Sequence, residues 1–146
     1  MKTFYRLSAW LLITFFTITL AACKDDDDPA TPTTESLLTA DEWIGNSIYA
    51  NGENITALVM NTENFDIRNV KIKFSKDGTY KDDNNGKQST GTWKYLKDEK
   101  KIILDEGTPL EWHWPVSKIT KSELYLIDKF SDSKGEKLDA EMRFTK

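Results

Sequence analysis

Val70-Lys71-Ile72-Lys73-Phe74-Ser75, then Lys76-Asp77-Gly78, then Thr79-Tyr80-Lys81-Asp82 is the stretch that decides the fold. Val70, Ile72 and Phe74 alternate with Lys71 and Lys73, the period of a strand with one face in a core and the other in water. Asp77-Gly78 supplies the positive φ that a tight hairpin needs, so residues 79–82 return antiparallel to the first run.

Working outward, the same grammar recurs. Asn84-Asn85-Gly86 turns again, and residues 89–96 put Gly91, Trp93 and Tyr95 on one face with Thr92 and Lys94 on the other. After a charged turn at 97–100, residues 102–105, 111–116, 123–128 and 138–145 read as strands. The last alternates Leu138, Ala140, Met142 and Phe144 against Asp139, Glu141 and Arg143. Upstream, residues 43–50 form the first strand, read with Ile44 and Ile48 on one face and Trp43, Ser47 and Tyr49 on the other. Eight short strands joined mostly by turns predict an all-β, antiparallel up-and-down barrel, whose closure removes exposed edges. Residues 51–69 are too long for a hairpin, and 55–60 read equally as a short helix or a strand-like flap over a barrel mouth.

The N-terminus has a different composition. Lys2 and Arg6 precede sixteen uncharged residues, 7–22, too short a run for a membrane span of about 20 residues and the layout of a secretory signal peptide. Leu20-Ala21-Ala22-Cys23 resembles the bacterial lipobox. That resemblance implies cleavage after residue 22 and a diacylglycerol thioether on Cys23, with acyl chains such as palmitate holding the protein on a membrane. Cys23 is the single cysteine, so the domain has no internal disulfide and depends on its packed core. Lys24, Asp25, Asp26, Asp27 and Asp28 resemble the acidic signal that sends some Gram-negative lipoproteins to the outer face of the outer membrane; without that role the run is a solvated spacer and the protein faces the periplasm. The predicted organisation is therefore a signal peptide (1–22), a lipidated Cys23 with an acidic and Thr/Pro-rich tether (23–38), and one barrel domain (39–146).

The barrel segment also resembles a family. Residues 74–80 (Phe-Ser-Lys-Asp-Gly-Thr-Tyr), Gly91-Thr92-Trp93, residues 98–104, and Trp43 followed by Asn51-Gly52 resemble bacterial lipocalin-like lipoprotein domains over residues 39–146. The chain has Trp43-Ile44-Gly45 where ligand-carrying lipocalins open with Gly-x-Trp. The resemblance implies a small barrel with an apolar-ligand calyx or an interaction surface.

Motifs for catalysis are sparse. His113 is the one histidine and lies between Trp112 and Trp114, so a strand points it away from both indoles, and no second histidine completes a usual zinc set. Two windows with a glycine at the sixth position of an EF-hand frame, 81–92 and 130–141, put Lys81, Thr92, Phe130 and Lys134 at ligand positions and fail. There is no phosphate-cradling glycine loop and no acid–base pair of recognisable spacing, so the chain reads as non-enzymatic and without a cofactor. Once residues 1–22 are removed, 18 basic side chains face 24 acidic ones, a net charge of −6. That balance excludes a basic nucleic-acid surface.

Aromatic side chains remain. Most belong to the core of so narrow a barrel. Trp112, Trp114 and Tyr49 are the candidates for contact with a small apolar or glycan ligand, or with a partner, at an open end. The alternative is an accessory lipoprotein that docks onto an outer-membrane or extracellular complex. An empty chamber above about 300 Å³ near residues 51–69 points to a ligand, and a filled barrel with an exposed apolar patch to a partner.

Overall fold

The structure, a computed structural model, describes residues 31–146. The expected signal peptide (1–22), Cys23, Lys24 and Asp25 to Asp28 lie outside the described residues. The elements are α1 (Thr34–Thr39), β1 (Glu42–Ala50), β2 (Glu53–Asn54), α2 (Thr56–Glu63), a 3-10 turn (Ile67–Asn69), β3 (Val70–Phe74), β4 (Thr79–Asn84), β5 (Lys87–Leu96), β6 (Lys101–Leu104), β7 (Trp112–Ile119), β8 (Glu123–Ser131) and β9 (Lys137–Thr145). The strands pair in the order β2-β1-β3-β4-β5-β6-β7-β8-β9, and β1 also pairs with β9. Eight strands thus close an antiparallel barrel and β2 is a short extra hairpin partner. This is the expected all-β meander.

Alternation builds the core. Val70, Ile72 and Phe74 are buried with Tyr80 opposite Phe74, and Leu124, Leu126, Met142 and Phe144 fill the far wall. Each such side chain contributes roughly 1.5–3 kcal/mol on full burial. Trp93 is buried as its strand face predicts, its ring 5.0 Å from that of Phe74 and its Nε1 donating to the Ser75 carbonyl at 2.9 Å.

The first strand departs from the expected face. Trp43 and Ile48 are both fully buried and Ile44 is exposed, because the pairing of β1 with β9 slips by one residue between Gly45 and Ser47. That bulge reverses which residues point inward, so the alternation through Ile44 and Ile48 does not hold. A side chain at Gly45 would place Cβ 1.9 Å from the Ile67 carbonyl oxygen, so only glycine lets the 3-10 turn press onto the bulge.

The C-terminal part of the expected tether is structured. Residues 34–38 belong to α1, whose Thr33 cap accepts from Ser36 N at 3.1 Å. Leu38 is fully buried, and its carbonyl accepts from Trp43 Nε1 at 3.0 Å. One apolar side chain therefore draws the segment onto the barrel end that also carries residues 75–78. The opposite end carries α2. Of the two readings of residues 55–60 the helix is the one adopted, with Val59 as its buried anchor.

Candidate functional site

The site grows out of a change of partner along β7. Residues 112–115 pair with β6, and Val116, Lys118 and Ile119 pair with β8 across a bulge. No ladder joins residues 112–115 to residues 127–131, and the barrel wall is open there. Two amide donors of this stretch of β8 are taken by side chains instead. Lys129 N donates to Asp128 Oδ1 and Ser131 N to Glu63 Oε1, each at 2.7 Å. Such capping keeps an unpaired edge from recruiting another strand.

On the outside of the opening is a cleft of about 470 Å³ lined by Glu111, Trp112, His113, Pro115, Ile127, Asp128, Lys129 and Asp139. Trp112 is 50% exposed and Leu110, just before it, 76%. His113 Nε2 and Glu111 Oε1 lie 2.7 Å apart, and Glu111 Oε2 accepts from Gly107 N at 2.7 Å. The Gly107 amide first, then His113, hold the Glu111 carboxyl below its ordinary value.

On the inside is a chamber of about 210 Å³ at the α2 end, walled by Phe65, Trp114, Phe130, Phe144 and other apolar side chains, with Asp82, Asn84 and Asp128 as its polar members. It is smaller than the chamber above about 300 Å³ expected of a ligand site near residues 51–69. Asp82 faces in because it pairs with buried Ile72, and Asn84 because it pairs with buried Val70. Burial holds the Asp82 carboxyl above its ordinary value against a lowering hydrogen bond from Ser89, and Asp83 adds repulsion. Asp128 lines both the cleft and the chamber. Its Oδ2 accepts from Trp114 Nε1 at 3.0 Å.

The three predicted aromatic contacts are therefore divided. Trp112 lies in the outer cleft and Trp114 in the chamber. Tyr49 stands on the outer face of β1 under the Arg143 guanidinium, 3.7 Å from its ring centre, in a shallow depression that shares Ile127 and Asp139 with the cleft. His113 is exposed, as its alternation with Trp114 requires. Asp128 and Asp82 were not legible as site residues, because a lone aspartate in a strand reads as a solvated surface position until its pairing register is known. Among the described residues no group of three or more His, Cys, Asp or Glu side chains is placed to hold a metal ion.

No protein-family model matches the chain, and no curated protein matches it in sequence. Among solved structures, the fold is similar to the crystal structure, at 1.00 Å resolution, of a DUF4847 family protein from Bacteroides vulgatus. The two are 16% identical, the match covers 77% of this chain and 96% of that one, and the TM-score is 0.50. What the two chains share at that identity is the fold, an antiparallel eight-stranded barrel.

Proposed function

We propose that this chain is a non-enzymatic, extracytoplasmic binding module, lipid-anchored through Cys23 and displayed at the outer membrane surface, which holds a small ring-shaped ligand at the opening between β7 and β8. The observation that carries the reading is the half-exposed indole of Trp112 over a cleft edged by Glu111, Asp128 and Asp139. An open aromatic face with flanking carboxylates suits a glycan or other hydroxyl-bearing ring, whose apolar face stacks while its hydroxyls donate. The anchor and address rest on residues 1–28 alone.

Two measurements test the proposal. Titration of the 15N-labelled protein with a panel of monosaccharides should move resonances of residues 111–115 and 127–129, and Trp112→Ala should abolish the shifts. Shifts that survive the substitution overturn the cleft as the site. Cys23→Ala should leave an unprocessed, unacylated precursor, and a normally acylated protein from that variant overturns the anchor.

Docking of a protein partner is the second reading. It is favoured by Leu110 and Trp112, two exposed apolar side chains two residues apart in the chain. Capture of a protein through a photoactivatable group at residue 110, with no ligand shifts in the cleft, would establish it instead.

A further inference from the structure

The inner chamber has a composition of its own. Four aromatic rings wall it, and Phe65 and Phe130 stack with centroids 5.7 Å apart and an interplanar angle of 29°. Its polar members are the carboxylates of Asp82 and Asp128 and the amide of Asn84, and no Lys, Arg or His is among its lining residues. Asp82 comes from β4 and Asp128 from β8, on different walls. Neither carboxylate has a salt-bridge partner among the described residues.

Both carboxylates already accept hydrogen bonds. Asp128 takes Trp114 Nε1 and Lys129 N, and Asp82 takes Ser89 Oγ at 3.2 Å. What they still offer an occupant is chiefly negative charge, in surroundings where low polarity strengthens it. Aromatic faces attract cations through the ring quadrupole, and desolvated walls strengthen that attraction. A cation that carries methyl groups rather than N–H donors meets both conditions, since it loses little hydration on entry and buries apolar surface against the rings.

We infer that the chamber is a binding site for a compact alkylated ammonium compound, held by the aromatic walls around Trp114 and Phe130 and balanced by Asp82 and Asp128. The volume excludes drug-sized molecules, whose sites begin near about 300 Å³. The inference rests on the barrel being a binding module, but on the inner side of Asp128, so it stands apart from the cleft occupied by Trp112.

The test uses the purified full-length protein and two isosteres, choline and 3,3-dimethylbutan-1-ol, which differ in one atom and one charge. Choline should move the Trp114 indole resonance and bind at least tenfold more tightly than the alcohol. Asp82→Asn and Asp128→Asn together should reduce choline to the affinity of the alcohol while leaving the alcohol unchanged. Equal binding of the two compounds by the wild-type protein overturns the inference without any variant, as does choline binding that survives the double substitution. Choline shifts confined to Trp112 also overturn it. The Trp112→Ala arm of the monosaccharide titration reads the cleft separately, so loss of choline binding alone removes this inference and leaves the cleft reading standing.

Discussion

Trp114 Nε1 donates to Asp128 Oδ2 at 3.0 Å across the part of the barrel wall where β7 and β8 exchange no backbone hydrogen bonds. A side-chain bond replaces the ladder there. It also fixes the orientation of Asp128, which lines both the cleft and the chamber. Trp114→Phe keeps an aromatic wall and removes the donor. The variant should lose roughly 1.5–3 kcal/mol in urea denaturation, the value of a hydrogen bond to a charged group. Amide exchange should accelerate at residues 127–131 and stay unchanged at 70–74, and a uniform change across the barrel would show that the bond is no local strap.

Trp93 packs on Phe74 and donates to the Ser75 carbonyl, so its truncation opens a cavity and removes one of two hydrogen bonds to that carbonyl, the other coming from Gly78 N at 3.1 Å. Trp93→Ala should cost roughly 3–5 kcal/mol, a large share of the 5–15 kcal/mol that stabilises a typical domain. Thermal melting checks this. A midpoint within about 2 °C of wild type would mean that the indole is not a core element.

How much of this was legible depends on range. The β3–β4 hairpin and β9 declare themselves because each alternates cleanly over five or more residues, a signal local to the strand. The β1 bulge does not, since Gly45, Asn46 and Ser47 have no strong preference for either face and the slip is set by β9, about a hundred residues away. Helix α1 hangs on Leu38 and α2 on Val59, single anchors that leave no helical period to read. Trp112 and Trp114 were legible as neighbours on one strand face. Their separation into cleft and chamber was not, because it follows from β7 changing partners, a property of the whole barrel.

Gly91 is held to glycine by its neighbours. A Cβ there would lie 2.1 Å from Asp105 Oδ1 and 2.7 Å from Tyr80 Cε1. The Asp105 carboxylate accepts from Thr92 N and from the Tyr80 hydroxyl, both at 2.8 Å. Gly91→Ala should expel that carboxylate and cost roughly 1–3 kcal/mol. Burial first, then Asp105, push the Tyr80 hydroxyl from 10.0 up to about 12. A raised phenol stabilises the fold fully below pH 10 and loses that contribution as pH rises from 10 to 12. In the alanine variant Tyr80 should ionise nearer 10, visible as earlier phenolate absorbance. An unmoved titration would show that Asp105 stays in place.

Glu63 ties α2 to the β8–β9 hairpin by accepting from Ser131 N at 2.7 Å and from Lys137 Nζ at 3.1 Å. Hydrogen bonds from Ser131 first, then from Lys137, hold its carboxyl at about 2 against an ordinary value of 4.5. A depressed carboxyl supports the fold fully above pH 4.5 and loses that support as pH falls from 4.5 to 2. Helix α2 should therefore stay latched through neutral and mildly acidic solution and loosen only towards pH 2. Added salt should weaken the exposed Lys137 arm and spare the Ser131 arm, because screening acts on separated surface charges far more than on a backbone hydrogen bond. Glu63→Gln at pH 7 should reproduce the acid state, with faster amide exchange at Ser131 and along α2 but not in β3. Protection of the Ser131 amide, taken relative to its intrinsic exchange rate, that is insensitive both to pH between 4.5 and 2 and to the substitution would show that Val59 alone holds the helix in place.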